Sequence, residues 1–242
     1  QSNLCSVMIA AVRRLHSGMA PIGDRLMTSL LTLIQNSAKQ PTVLEDAFVA
    51  VGTVIVALEA DFEKYLDAFL PFLVEGLRNH EEHQLCTISV GIVGDVCRSL
   101  AERATKYSET LVLALFEDLQ SPVLHRNVKP HILSCFGDIA MAIGPAFESY
   151  LPTAMAVLQQ ASMVQNAPDT ADYEMVEYVN DLREGIAEAY VGIVSGFRMA
   201  GKADVLLPYM DYTLAFVGLV ASDSIDRSET LLRSTIGLVG DL

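Results

Sequence analysis

The chain has 242 residues, of which 51% are hydrophobic and 19% charged, so it can build a sizeable core and is not intrinsically disordered. Its 30 acidic and 16 basic residues give a net charge of −14, which disfavours nucleic acid and anionic membrane surfaces as partners. The apolar runs are interrupted by charges, so we expect no membrane-spanning helix. Four cysteines without a short repeated spacing indicate reduced thiols of an intracellular protein.

Apolar residues recur at positions i, i+3, i+4 and i+7 along most of the chain, as in amphipathic helices, and no sustained alternation indicates strands. The helices alternate between two types, which we name B and A. In chain order they are predicted at 3–17 (B), 21–36 (A), 42–60 (B), 62–79 (A), 83–102 (B), 107–121 (A), 127–143 (B), 146–163 (A), 172–199 (B), 203–222 (A) and 225–242 (B). Prolines and glycines such as Pro21, Pro122 and Gly201 lie between them.

A repeat with a period near forty residues pairs these helices. Phe62–Leu66 and Phe147–Leu151 share the pattern Phe-Glu-x-Tyr-Leu two periods apart. An apolar residue followed by glycine also recurs at matching positions of the B helices, at Gly52, Gly94, Gly137, Gly192 and Gly240. Helix pairs of about 40–47 residues are typical of HEAT and armadillo proteins. We therefore predict an all-α fold, a right-handed HEAT-repeat solenoid running through 1–242. Its units are 1–20 (B helix only), 21–61, 62–103, 104–145, 146–201 and 202–242.

The predicted helix 172–199 carries acidic residues at successive steps of three and four positions. They are Glu174, Glu177, Asp181, Glu184 and Glu188. At about 100° per residue they form a stripe about 60° wide, opposite the apolar face of the helix. Carboxylates at i,i+4 repel by about 0.2–0.5 kcal/mol per pair, a cost that a basic ligand would reverse. The stripe predicts either a binding face for a basic partner or an ordinary solvated face.

Asp95, Asp138 and Asp241 recur at one register of the B helices, each directly after a glycine. Two interpretations remain open: each carboxylate accepts a hydrogen bond from the neighbouring repeat, or the series binds a basic partner.

Aromatic residues concentrate in the A helices, where most should belong to the core. A shallow apolar cleft between adjacent A helices would also suit a short Phe-containing peptide. The candidate residues for such a cleft are Phe69, Phe72 and Phe116.

Nucleotide-binding and hydrolase signatures such as G-x-G-x-x-G, G-x-x-x-x-G-K-[ST] and H-E-x-x-H do not occur in the sequence. We therefore expect no enzyme activity and no cofactor. The segment His80–His83 contains two histidines and two glutamates, but it lies in a predicted turn without further ligands at a suitable spacing. We predict no metal site there.

Four segments resemble the C-terminal half of the importin-β family of nuclear import karyopherins, and the variable positions resemble fungal members. They are 90–98 (VGIVGDVCR), 123–140 (VLHRNVKPHILSCFGDIA), 158–162 (LQQAS) and 172–178 (DYEMVEY). The similarity extends over essentially the whole chain. Because the chain starts at Gln1 and ends inside an apolar helical pattern, we expect it to be a segment of a longer superhelix, with about four full repeats and two half repeats.

The resemblance implies that the B helices wrap the basic importin-β-binding helix of the adaptor importin-α, or basic cargo. It further implies that clefts between A helices hold Phe-Gly nucleoporins, and that RanGTP binds mainly through repeats outside this segment. The expected locations are the cytoplasm, the nucleus and the nuclear pore, and the expected oligomeric state is a monomer.

On this resemblance the acidic stripe becomes the leading set of adaptor contacts, followed by Asp95 and Asp138. The family's groove also uses tryptophans, and this chain has none, so it would hold only part of the binding surface. The alternative function is a flexible structural spring of the solenoid without direct ligand contacts.

Overall fold

A computed structural model describes residues 2–165, 173–222 and 228–241. Within these ranges every regular element is helical. The α-helices are α1 (Ser2–Leu15), α2 (Gly23–Asn36), α3 (Pro41–Leu58), α4 (Glu63–Leu77), α5 (His83–Leu100), α6 (Thr105–Gln120), α7 (Val128–Ile143), α8 (Leu151–Ser162), α9 (Tyr173–Met199), α10 (Met210–Ser222) and α11 (Glu229–Asp241). The predicted helices are thus present in the predicted order, and the part of the predicted helix 225–242 before Ser228 lies outside the described residues.

Short 3₁₀ helices join each B helix to the following A helix, a feature that the apolar spacing did not predict. They are His16–Ile22, Glu59–Phe62, Ala101–Ala104, Gly144–Ser149 and Ala203–Tyr209. Several A helices therefore begin later than predicted. The interval predicted as one helix at 203–222 is a 3₁₀ turn followed by α10, because Pro208 removes a backbone donor from the α-helical ladder.

The residue directly after a B helix has a positive φ in four successive repeats. These residues are His16, Glu59, Ala101 and Gly144, with φ of 46°, 49°, 49° and 52°. This conformation turns the chain from the B helix into the next 3₁₀ helix. Glycine adopts it without a steric penalty, whereas the side chains at the first three positions place a Cβ in a strained backbone.

The chain divides into two compact units, residues 1–125 and 126–242. In the first unit, the B helices α1, α3 and α5 pack side by side, and the A helices α2 and α4 pack against α3 and α5. The core between the two layers contains fully buried aromatic and aliphatic side chains such as Phe62, Leu66 and Phe69. Burial of this shared apolar surface is what stabilises stacked helix pairs. The single continuous solenoid expected for 1–242 stays a prediction.

Polar side chains tie neighbouring A helices of the first unit together. The Asp24 carboxylate of α2 accepts hydrogen bonds from Lys64 Nζ at 2.8 Å and Tyr65 Oη at 2.5 Å, both from α4. The same contact returns one repeat later between α4 and α6, and it consists of Asp67, Lys106 and Tyr107. We call these two groups the A-helix clasps. Lys and Tyr lower the pKa of the aspartate in each clasp.

The second unit is built on close contact between its B helices. α7 packs along α9, and α9 packs on α11. A Cβ added at Gly137 of α7 would lie 2.6 Å from the backbone oxygen of Glu188, and one at Gly192 of α9 would collide with the backbone of Gly137. Gly185 and Gly196 meet α7 backbone in the same way. The two helices therefore touch backbone to backbone because glycines stand at their crossing.

All four cysteines are free and buried in the structure. By length and composition alone, two stretches of the described chain could cross a membrane, Arg126–Ser149 and Ala203–Ser222, and 50% and 22% of an apolar 18-residue window in each are buried in the fold. Core helices of water-soluble folds pass the same criterion, so the expected absence of a membrane partner stays a prediction.

Candidate functional site

The acidic stripe lies on the outer face of α9. Glu174, Glu177, Asp181 and Glu188 are exposed, and Glu184 is half-buried. The opposite face is buried from Val179 onward. The predicted separation of an acidic and an apolar face on this helix is therefore present in the structure.

Three members of the stripe have partners outside α9. Glu174 pairs with Arg126 at 3.2 Å, and the Arg126 guanidinium also lies 5.5 Å from the ring centre of Tyr178. Glu188 accepts a hydrogen bond from Ser134 of α7 at 2.6 Å, and Glu184 accepts one from Ser228. These contacts compensate both ends of the stripe.

The centre of the stripe consists of Glu177 and Asp181. No hydrogen bond or ion pair of either carboxylate occurs within the described residues. Partial burial and the neighbouring carboxylates of Glu184 and Glu177 raise the pKa of Asp181, and His131 acts in the opposite direction. A raised carboxyl pKa means that the ionised form is disfavoured, so a cation placed at this point of α9 would relieve a cost already present.

The sequence did not reveal the partners that compensate the stripe, because they come from distant parts of the chain. Arg126 and Ser134 precede α9 by about a repeat, and Ser228 follows it. The one cation on the stripe segment itself, Arg183, is only 4% exposed and lies on the packed side of α9. The uncompensated part of the stripe is thus shorter than the sequence pattern suggested.

The aspartates at the repeated B-helix register have different surroundings. Asp95 pairs at 2.7 Å with Arg98 of its own helix, and Asp241 pairs at 2.7 Å with Arg198 of the preceding B helix α9. Asp138 is half-buried on α7. Asp241 thus follows the interpretation of a contact between neighbouring repeats, whereas the Asp95 carboxylate is satisfied locally.

Of the three candidate phenylalanines, Phe72 lines a cleft among the described residues. Phe72 borders a cavity of about 150 Å³ between α2 and α4, together with Ile34, Ala38 and Phe48. Phe69 is fully buried and packs edge-on against Phe48 with ring centres 5.5 Å apart.

Phe116 is also buried, with 9% of its surface exposed. Phe69 and Phe116 therefore belong to the core, where a ligand does not reach their rings without a rearrangement.

The histidines at the α4–α5 turn have structural partners. His80 bonds through Nε2 to Asp118 Oδ1 at 2.9 Å and through Nδ1 to Ser121 Oγ at 3.0 Å. Asp118 is only 1% exposed, and its burial raises the pKa of its carboxyl group. His83 stacks on His125 with ring centres 4.4 Å apart. No group of three or more metal-ligating side chains occurs among the described residues.

Comparison with known proteins gives a consistent result over the whole chain. A family model described as "Importin subunit beta-1-like, TPR repeats" matches residues 1–242. The importin subunit beta-1 of Schizosaccharomyces pombe is 45% identical over 242 residues, which cover all of this chain and 28% of the relative. The chain therefore spans 28% of the length of that protein.

Solved structures show the same likeness. A crystal structure of importin beta superposes with a TM-score of 0.95 at 43% identity, covering all of this chain and 29% of the other. A structure of the Kap95:Nup1 complex gives a TM-score of 0.89 at 32% identity, covering 100% and 27%. The predicted all-α HEAT-repeat class is confirmed. Helix pairs recurring about every 40 residues also have the HEAT spacing, whereas TPR pairs recur every 34.

Proposed function

Because the chain belongs to the importin subunit beta-1-like family, we propose that it is a segment of a nuclear transport receptor whose α9 face binds a basic helix. The partner would be the importin-β-binding helix of an importin-α adaptor or a basic cargo. The receptor would accordingly pass between cytoplasm and nucleus, with RanGTP bound mainly outside this segment. This role requires no enzyme activity and no cofactor.

The observation that carries the proposal is the uncompensated centre of the acidic stripe. Glu177 and Asp181 are exposed, one helical turn apart and without a partner in the described part of the chain. Partial burial raises the pKa of Asp181, and repulsion from the carboxylates of Glu184 and Glu177 raises it further. A ligand with Lys or Arg at the matching spacing would form charge-assisted hydrogen bonds with carboxylates that now repel one another.

Titration calorimetry with a basic importin-β-binding peptide, at low and at physiological salt, tests this proposal. We expect saturable binding that weakens as salt rises, because exposed charges are screened over about 8 Å at physiological ionic strength. The variant E177Q/D181N should bind at least about tenfold more weakly, which corresponds to about 1.4 kcal/mol.

A matched control separates the stripe from the net charge of −14. E109Q/E148Q removes two exposed carboxylates from other helices and changes the net charge equally. If both double variants lose the same affinity, attraction is a property of the whole chain and the stripe is not the site. If the unsubstituted chain does not bind the peptide, the spring alternative is the better description of this segment.

The cavity beside Phe72 favours a second function, binding of Phe-Gly nucleoporin segments. Apolar side chains line most of it, Gln35, Glu75 and Asn79 also border it, and Ala38 at its edge is exposed. A single phenylalanine side chain would bury apolar surface there, while its flanking glycine permits a close approach of the peptide backbone. The solved complex of the relative Kap95 with Nup1 is consistent with nucleoporin binding in this family.

An Ala38→Met variant would fill this cavity from its rim. We expect it to abolish binding of a Phe-Gly peptide, measured by fluorescence anisotropy, and to leave the basic peptide unaffected. A peptide with Ala in place of Phe should not bind either protein. Unchanged affinity of the filled variant would exclude this cavity as the Phe-Gly site.

A further inference from the structure

A second cavity crosses the B helices of the unit formed by residues 1–125. It has a volume of about 400 Å³ and is bounded by α1, α3 and α5. Val49 and Val56 line it while being 37% and 58% exposed, and the deeper Ile92 is 3% exposed. We call it the B-helix groove, and it shares no lining residue with the Phe72 cavity.

Two glycines create the room in the B-helix groove. A Cβ at Gly52 of α3 would make ordinary contacts of 3.5 Å with Ile92 and 3.6 Å with Asp95. A Cβ at Gly91 of α5 would meet no atom within 4 Å. Gly91 is exposed in the middle of a regular helix, where glycine costs about 1 kcal/mol relative to alanine. The space above Gly91 is therefore open to a side chain from outside.

The acidic and the basic side chain that line the groove differ in whether they already form an ion pair. Asp95 on α5 is already paired with Arg98 at 2.7 Å. Arg13 on α1 is exposed, and within the described residues it has no ion pair. His16 lines the same end of the groove. A basic ligand would have to displace Arg98 from Asp95, whereas an acidic ligand would find the Arg13 guanidinium unoccupied.

We propose that the B-helix groove binds an amphipathic helix of a partner protein that inserts one large aliphatic side chain and places a Glu or Asp one helical turn away. The aliphatic side chain would cover the exposed surface of Val49 and Val56 and fill the space above Gly91. The carboxylate would form a charge-assisted pair with Arg13. This site has the opposite charge preference to the stripe on α9, and it does not depend on the function proposed for that stripe.

Two alanine-based helical peptides test the charge preference. Each carries one central leucine, and the residue four positions away is Glu in one peptide and Lys in the other. Methyl NMR of the full 242-residue chain would follow the titration, since the valines and isoleucines of the groove report binding directly. We expect the Glu peptide to bind at least about tenfold more tightly than the Lys peptide. Arg13→Glu should reverse this order.

A Gly91→Leu variant tests the location without weakening the helix. Leucine is a better helix former than glycine, so the melting temperature should stay the same or rise while peptide binding is lost. Gly218→Leu is the matched control, because Gly218 is also a helical glycine with no atom within 4 Å of an added Cβ. It should bind the peptide as the unsubstituted chain does.

Three outcomes would overturn the proposal: no saturable binding of either peptide, equal affinities for both, or binding by Gly91→Leu that equals that of Gly218→Leu.

Discussion

The two compact units differ in which helices join successive repeats: the A helices in one unit and the B helices in the other. In residues 1–125 the polar contacts join A helices, as in the clasp of Asp24 with Lys64 and Tyr65, and the neighbouring B helices leave a groove of about 400 Å³. In residues 126–242 the described polar contacts join B helices, and α7 touches α9 through glycines. Where polar contacts join the A helices, as in the first unit, the B helices can stand far enough apart to leave a cavity between them. Where the backbones of two B helices touch, as for α7 and α9, no such space is left between those two helices.

The largest effect should follow a Gly192→Ala substitution. The new methyl group would collide with backbone atoms of Gly137, which cannot move aside as a side chain can. Overpacking of this kind costs about 3 kcal/mol, more than the gain in helix propensity. Thermal denaturation followed by circular dichroism would measure it.

Gly218→Ala is the control for Gly192→Ala, because its added Cβ meets no atom within 4 Å. It should be neutral or slightly stabilising. A loss of less than about 1 kcal/mol in Gly192→Ala would mean that α7 and α9 separate easily and that glycine contact does not fix the second unit.

His80→Ala should have the next largest effect on the free energy of unfolding, and it tests the contact of His80 with Asp118 of α6 in the first unit. Removal of the imidazole leaves the buried Asp118 carboxylate without its closest partner, at a cost of about 2 kcal/mol near pH 7. His83→Ala removes an exposed histidine from the same turn and should have little effect on stability.

The His80→Ala penalty should depend on pH. Burial raises the pKa of Asp118, so its contribution to stability is fully present below the unfolded pKa and is lost as pH rises through the folded one. Without the bond from His80 this pKa rises further. The difference in the free energy of unfolding between His80→Ala and the unsubstituted chain should therefore shrink as the solution is acidified. A difference that is independent of pH would show that Asp118 does not bear the cost.

Substitutions in the turns after the B helices should change the free energy of unfolding by a smaller amount, with opposite signs in the two units. Ala101 and Gly144 occupy equivalent positions with φ of 49° and 52°. Ala101→Gly removes steric strain and should raise the free energy of unfolding by about 1 kcal/mol, whereas Gly144→Ala should lower it by a similar amount. Urea denaturation of the two variants measures both, and effects of equal sign would contradict the strain argument.

The sequence predicted the parts of this molecule that depend on periodicity. The apolar spacing and the repeated Phe-Glu-x-Tyr-Leu segment gave the helix order and the two faces of α9. The positive φ at Ala101 was not predictable, because its alanine gives no turn signal where Gly144 does. Burial of Phe69 rather than Phe72 depends on Phe48 from another helix, and the groove depends on the distance between helices. Local patterns do not encode such distances.

The smallest effect should come from the A-helix clasps, because their charged groups are exposed and solvent screens them. Asp24→Asn should lower stability by less than the change at Ala101, and the loss should fade at high salt. Lys64 and Tyr65 lower the pKa of Asp24, so its contribution is present above the ordinary carboxyl pKa and disappears as pH falls through the depressed one.

The losses in Asp24→Asn and His80→Ala should both shrink on acidification, so salt distinguishes the two contacts: screening should remove the contribution of the exposed Asp24 and leave that of the buried Asp118. Asp67→Asn in the second clasp should repeat the Asp24 result, since its aspartate has equivalent partners. If the two clasp variants instead differed in their salt dependence, the clasps would not be equivalent, and the A side of the first unit would be held by one repeat contact rather than by a periodic series.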